Sequence, residues 1–144
     1  MKIAISACLL GDNVRYDGSN KKNNEIIKLL ANHEYIKICP EILSGFKIPH
    51  EALERKNDKV YTKSHKDVTA KLNKGSAKAL KLIEGCDIAI LKSKSPSCGY
   101  KKIYDGTFSN TLIDGNGIFT DMCIKNGIEI YTENDLEILN ELLK

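Results

Sequence analysis

Apolar residues along this chain recur in two alternating patterns. Short, nearly continuous runs at Lys2–Ala7, Tyr35–Ile38, Asp87–Leu91 and Ile128–Tyr131 read as strands buried on both faces. Between them lie stretches in which apolar side chains return every three or four positions. Asn24–Leu30 carries Ile26, Ile27, Leu29 and Leu30 on one side. Residues 67–84 carry Val68, Leu72, Leu80 and Ile83, Ile118–Asn126 follows, and a last stretch places Leu136, Leu139, Leu142 and Leu143 at helical spacing. Local punctuation supports these boundaries. Asp67 reads as an N-cap, and Gly75 weakens the middle of its helix by about 1 kcal/mol relative to alanine. Gly85 and Gly127 stop the helices before them, and Thr132-x-x-Asp135 resembles a capping box that opens the last helix. Glu41–Lys66 reads as irregular, with one short strand at Lys59–Thr62, and Lys92–Gly117 as a long loop rich in glycine and serine. Strands alternating with helices predict an α/β protein: a three-layer Rossmann-like fold with a mostly parallel four-stranded sheet, forming one domain over residues 1–144.

Composition narrows the class. A chain of 144 residues, 42% hydrophobic and 28% charged, is long enough to bury a core without covalent staples. With 22 basic against 19 acidic side chains the net charge is +3, too balanced for a nucleic acid polymer as main partner but suited to a small anionic ligand. No run approaches the roughly 20 apolar residues that cross a bilayer. The apolar start Met1–Leu10 stops at Gly11-Asp12, too short for an export signal. The expectation is a cytoplasmic protein without a membrane partner, whose five cysteines serve as metal or catalytic groups and core filler rather than disulfides.

Position separates those cysteines. Cys8 follows the first predicted strand, Cys39 follows the second, and Cys98 lies in the loop after the third. Loops at the carboxyl ends of parallel strands emerge on one edge, where ligands bind, so three thiols remote in sequence are expected to meet. Cys86 precedes its strand and belongs at the opposite edge, and Cys123 sits inside a helix; both read as small buried hydrophobes. Structural zinc takes four ligands in close pairs, and no C-x-x-C occurs. Three thiolates suit a 4Fe–4S cluster with one iron open, and an open iron acts as a Lewis acid toward a soft sulfur atom. Glu41, two residues from Cys39, is placed to move protons or is a surface acid in a loop. Ser97 offers a hydroxyl beside Cys98 or simply shapes the turn, and Gly99 permits close backbone approach to a cluster. Arg15, Lys92, Lys94 and Lys101 lie near the same loops, and Lys101 also fits a solvated basic face. His33, His50 and His65 occupy polar stretches and are expected at the surface, and Gly115-Asn116-Gly117 reads as a turn or helix lead-in with a weak phosphate signal. No H-E-x-x-H, Walker or dinucleotide glycine motif is present. Alternatives are a cysteine nucleophile at Cys98 with a histidine base, a non-catalytic metal or nucleotide-binding module, and zinc held by three cysteines and a water.

The motifs Ser6-Ala7-Cys8-Leu9-Leu10-Gly11, Val14-Arg15-Tyr16-Asp17-Gly18, Cys39-Pro40-Glu41, Asp67-Val68-Thr69, Lys92-x-x-Ser95-Pro96-Ser97-Cys98-Gly99 and Ile103-Tyr104-Asp105-Gly106 span nearly the whole chain. Together they resemble the thiouracil desulfidase (TudS) family in its short single-domain form. The resemblance implies a 4Fe–4S cluster on Cys8, Cys39 and Cys98 and a non-redox reaction in which water replaces the sulfur of thiouracil or of 4-thiouridine monophosphate. It implies acid/base roles for Glu41 and Ser97. Arg15, Lys92 and Ser95 are expected to contact substrate. The chain departs from the family at Pro49-His50-Glu51-Ala52, where Pro-Arg-x-Pro is usual; at neutral pH His50 replaces that arginine's charge only when protonated.

Overall fold

A computed structural model describes residues 1–144. In chain order its elements are β1 (Lys2–Ser6), a 3-10 turn (Ala7–Leu10), α1 (Asn24–Leu30), β2 (Glu34–Ile38), α2 (Pro40–Leu43), β3 (Leu53–Lys56), β4 (Lys59–Thr62), α3 (Thr69–Leu82), β5 (Ile88–Leu91), β6 (Lys102–Tyr104), β7 (Leu112–Asp114), α4 (Ile118–Lys125), β8 (Glu129–Thr132) and α5 (Leu136–Leu142). The central sheet is parallel throughout, in the order β2-β1-β5-β8. The path steps from β1 outward to β2, then crosses back to β5 on the other flank of β1. This reversal places the topological switch point between β1 and β5, where ligands bind in sheets of this kind.

The continuous apolar runs of β1 and β5 arise because both sheet faces are covered at the centre, whereas the outer strands β2 and β8, expected to be buried on both faces, leave Glu34, Tyr35, Lys37 and Glu129 exposed at the sheet edges. Ile3 lies opposite Ile88 and Ile5 opposite Ile90, with Ala4 opposite Ala89 between them. The isoleucines pack with Ile26 and Leu30 of α1 and Leu139 and Leu143 at α5. Ala4, Ala89 and Leu91 turn the other way, onto Ala79 and Ile83 of the α3 side and Phe119 and Cys123 of α4. Each isoleucine or leucine fully buried here contributes about 1.5–3 kcal/mol. No helix is long and apolar enough to cross a membrane.

Several local expectations need correction. Asp67 does not cap α3 at the position expected: the N-cap is Val68, and the Asp67 carboxylate accepts from the Thr69 N–H at 2.9 Å and its hydroxyl at 2.6 Å, forming a turn just before the helix. Thr132 does not open α5 directly. Its N–H donates to Asp135 at 2.8 Å, and the helix begins only at Leu136. The segment read as irregular contains α2 and the β3–β4 hairpin, and the long loop contains the β6–β7 hairpin. The hairpin strands are only three or four residues long and each carries at least one charged side chain, so no apolar period marks them. Buried Glu54 joins the two hairpins by accepting from the Gly106 and Phe108 N–H groups at 3.0 and 3.1 Å. Arg55 donates to the Asn116 carbonyl and the Asp121 carboxylate, both at 2.7 Å, tying β3 to α4.

Gly75 has a packing reason that its helix propensity conceals. A Cβ there would stand 1.9 Å from Ser44 Oγ and 2.4 Å from Ser44 N, so only glycine lets α2 lie against α3. Gly75→Ala, nominally a better helix former, is therefore expected to destabilise by about 2 kcal/mol through overpacking. Tm should fall by roughly 5 °C for a chain of this size; an unchanged or raised Tm would show that helix propensity dominates instead.

Candidate active site

Loops leaving the carboxyl ends of β1, β2 and β5 enclose a cavity of about 460 Å³ whose lining includes Cys8, Cys39, Cys98, Glu41 and Ser97. Each thiol is positioned by a distinct local device. Cys8 lies in the 3-10 turn, which Gly11 ends in the left-handed region at φ 100°, donating its N–H to the Cys8 carbonyl at 3.2 Å. Cys39 is the N-cap of α2 with Pro40 at the first helical position; its extended backbone is the conformation proline imposes on the residue before it. Cys98 rides in a tight turn: its N–H donates to Ser95 Oγ at 2.7 Å, and the Gly99 N–H donates to the Ser95 carbonyl at 2.9 Å.

That turn is bolted to α4. The helix's free N-terminal N–H groups point at it: Ile118 donates to the Pro96 carbonyl at 2.8 Å and Phe119 to the Ser97 carbonyl at 2.9 Å. A Cβ at Gly117 would come within 2.3 Å of the Ser97 carbonyl group. Residues 115–117 are thus a helix lead-in, with the Gly117 N–H donating to the Gly99 carbonyl at 2.8 Å and the first N–H groups of α4 taken by the cysteine loop. The reason for Gly99 also changes, since a Cβ there would meet the Ser95 carbonyl and Ile103 at 2.6 Å. The close approach is to its own loop.

All five cysteines are free. Burial pushes the Cys8 and Cys39 thiols up to about 11 each; the neighbouring Cys39 raises Cys8 further, while Lys92 and Arg15 oppose that rise. Burial also raises Cys98 well above the ordinary thiol value, reinforced by Cys39 and Cys8 and eased by hydrogen bonds with Ser6 and Ser97. The three thiols feel one another, and any metal group they hold must displace their protons. No three His, Cys, Asp or Glu side chains are placed to share a single metal ion; the thiols border a space instead. Cys123 is fully buried with Cys86 beside it, burial raising both thiols, and Cys86 lies near Lys2, Asp87 and Glu34 at the amino ends of the strands.

Glu41 is no surface acid. Its side chain is only 16% exposed, and its Oε2 accepts from Ser97 Oγ at 3.0 Å. Ser97 is buried and its Oγ lies 3.8 Å from Cys98 Sγ, linking the carboxylate to the thiol. The other carboxylate oxygen, Oε1, faces His50 Nε2 at 3.4 Å. The surface expectation for His50 therefore fails: its side chain is 11% exposed, beside the rings of Tyr16 and Phe46. The short helix α2 turns the following loop back over the site, and nothing in that polar stretch advertises it. His33 is also partly buried, with Nε2 2.7 Å from the Leu143 carbonyl, whereas His65 is exposed as expected.

The expected substrate contacts differ in availability. Lys92 lines the cavity, but its ammonium lies 2.9 Å from Glu133. Burial raises the Glu133 carboxyl, yet Lys92 and the Ser93 N–H outweigh it and hold the group below its usual range. Ser95 Oγ accepts from the Cys98 N–H at 2.7 Å and lies 3.3 Å from Ser97 Oγ. Arg15 lines the cavity with its guanidinium 5.6 Å from the centre of the Tyr16 ring and takes part in no ion pair. Lys94 also lines the cavity, whereas Lys101 lies outside it, exposed over the Tyr100 ring. Sequence reasoning missed Lys21, Lys63, Tyr104, Phe108 and Asn110, all in the cavity wall. The last three reach it on the β6–β7 hairpin, which the apolar pattern does not reveal.

Known proteins resemble this chain over nearly its whole length. The uncharacterized protein YbbK of Bacillus subtilis (strain 168) is 36% identical over 146 residues, covering 93% of this chain and 97% of that protein. A solved structure of the 4Fe-4S-dependent thiouracil desulfidase TudS superposes with a TM-score of 0.91 at 39% identity, covering 99% of this chain and 97% of that one. The family model for 2-thiouracil desulfurase matches residues 3–135. The chain belongs to the 2-thiouracil desulfurase family.

Proposed function

We propose that this protein is a 4Fe–4S-dependent, non-redox desulfidase that takes thiouracil or 4-thiouridine monophosphate, with water, to uracil or uridine monophosphate and hydrogen sulfide. The observation that carries the reading is the meeting of Cys8, Cys39 and Cys98 in one cavity beside the Ser97–Glu41 hydrogen bond. The donor set suits such a cluster. Three free thiols line a space larger than a single-ion site, and the remaining two cysteines sit elsewhere in the core, so one iron keeps no protein thiolate. When bound there, the cluster supplies a Lewis-acidic iron that stabilises the departing sulfur.

The chain's own residues do the rest. Glu41, held by Ser97 at the cavity wall, takes a proton from the incoming water. Ser97 fixes the carboxylate and stands between it and Cys98. Tyr104 and Phe108 give the cavity aromatic walls for a pyrimidine ring. Arg15, in no ion pair, is a cation available to a nucleotide phosphate, as are Lys21, Lys63 and Lys94 in the same wall, while Lys92, neutralised by Glu133, sets the shape and potential near Cys8. The protein acts as one cluster-binding unit over residues 1–144, in the cytoplasm, on a small molecule. A Cys98 nucleophile is disfavoured because burial holds its thiol protonated and the nearby His50 is engaged with Glu41.

Release of sulfide from both substrates by anaerobically reconstituted protein tests the proposal; a fully loaded protein that releases none refutes it. Arg15→Ala is expected to raise KM for 4-thiouridine monophosphate about tenfold while leaving KM for thiouracil unchanged. Equal changes for both substrates would remove Arg15 from phosphate binding.

A further inference from the structure

His50 occupies the Glu41 oxygen that Ser97 leaves free. Its Nδ1 lies 2.6 Å from the Glu51 carbonyl oxygen. A carbonyl only accepts, so Nδ1 carries a hydrogen. That fixes the ring, and Nε2 then faces Glu41 Oε1 at 3.4 Å. A neutral ring with its hydrogen on Nδ1 would present a lone pair to a carboxylate oxygen, and two acceptors repel. The contact is favourable only with a proton between them. The rings of Tyr16 and Phe46, centred 6.3 and 5.0 Å from the imidazole, keep the contact largely dry. Glu41 lines the cysteine cavity, whereas His50 lines a separate outer groove of about 830 Å³ with Glu51, Lys66 and Lys71.

We propose that His50 is a positioning residue for Glu41: a charged imidazole, locked by the Glu51 carbonyl, that aims the carboxylate at Ser97 and links it to the outer groove. The inference rests on the reading of Glu41 as the group that handles the reaction's proton. The groups facing the ring agree with a charged state. Burial lowers the proton affinity of His50, but Glu41 and the Glu51 carbonyl outweigh it and hold the group above its ordinary value, against opposition from Lys71. Lys71 is drawn partly away, 4.4 Å above the Phe46 ring, and the Glu51 carboxylate is turned aside onto Ser64.

Nuclear magnetic resonance of the histidine rings in the reconstituted protein tests this without turnover. His50 is expected to carry hydrogen on Nδ1 and to titrate above an ordinary imidazole, and Glu41→Gln is expected to lower its proton affinity about tenfold. His50→Gln still donates to Glu41 but cannot ionise. It is expected to lower kcat about tenfold at unchanged KM and iron content, and to remove the decline of kcat with rising pH that deprotonation of His50 produces. A His50 that titrates as an ordinary imidazole whatever stands at position 41, or a His50→Gln enzyme with the parent's pH profile, overturns the assignment. The ring titration decides the pairing even where thiouracil proves not to be a substrate, and the parent protein alone suffices where a variant fails to fold.

Discussion

Cys98→Ser is expected to abolish cluster binding, taking iron from about four per chain to less than one and sulfide release down by at least ~10³-fold. Cys98 is buried, its N–H is fixed by Ser95, and its turn is anchored on the first N–H groups of α4. Nothing nearby can move in to replace it, because Cys86 and Cys123 are committed to the core elsewhere. Serine preserves the size of the side chain and the backbone bonds, so the metal-free variant should fold as the parent does, with an unchanged far-UV spectrum. Cys123→Ala provides the contrast. It opens a small cavity in the core and costs about 1–2 kcal/mol, yet it should keep the full iron content. Anaerobic reconstitution followed by iron and sulfide analysis of both variants separates the two behaviours. A Cys98→Ser protein with the parent's iron count would remove this residue from the ligand set.

Glu41→Gln should lose turnover with its cluster intact. The amide has the same shape, and its carbonyl oxygen still accepts from Ser97 Oγ, so the wall of the cavity stays in place. The lost feature is a carboxylate able to take a proton, a contribution worth typically 10²–10⁴-fold. Steady-state assays at equal iron content are expected to show kcat reduced within about that range and KM little changed. If the variant instead loses iron, Glu41 supports the metal group and not the proton. If kcat is unchanged, the proton transfer lies with another group.

The legible parts of this molecule are those where one physical demand writes the sequence. The central strands β1 and β5 are buried on both faces and their apolar runs announce them, while the outer strands β2 and β8 are partly exposed yet keep enough apolar residues to read as strands. The convergence of Cys8, Cys39 and Cys98 followed from strand order alone, because a parallel sheet brings the loops at its carboxyl ends to one edge. Illegible parts depend on tertiary partners. Gly75 looks like a weak point in α3 until Ser44 is seen against it. Glu54 and Arg55 look like surface charges in an irregular segment, yet one accepts two backbone N–H groups and the other fixes Asp121. Lys92 looks like a free cation beside the site until Glu133, from the loop after β8, closes on it. His50 sits in polar surroundings in the chain but in aromatic ones in space. Apart from Phe46, four residues before His50, the deciding neighbours lie tens of residues away, and no local period records them.

The central claim is that three thiols from three strand ends hold one inorganic cluster and leave one of its irons without a protein ligand. Alkylation mapping of the anaerobically reconstituted protein, paired with its iron count, tests it most directly. The expected result is about four iron per chain, with Cys8, Cys39 and Cys98 protected from the reagent only while iron is bound and Cys86 and Cys123 unaffected by it. One iron per chain, or iron-dependent protection of a different set of cysteines, would contradict the account.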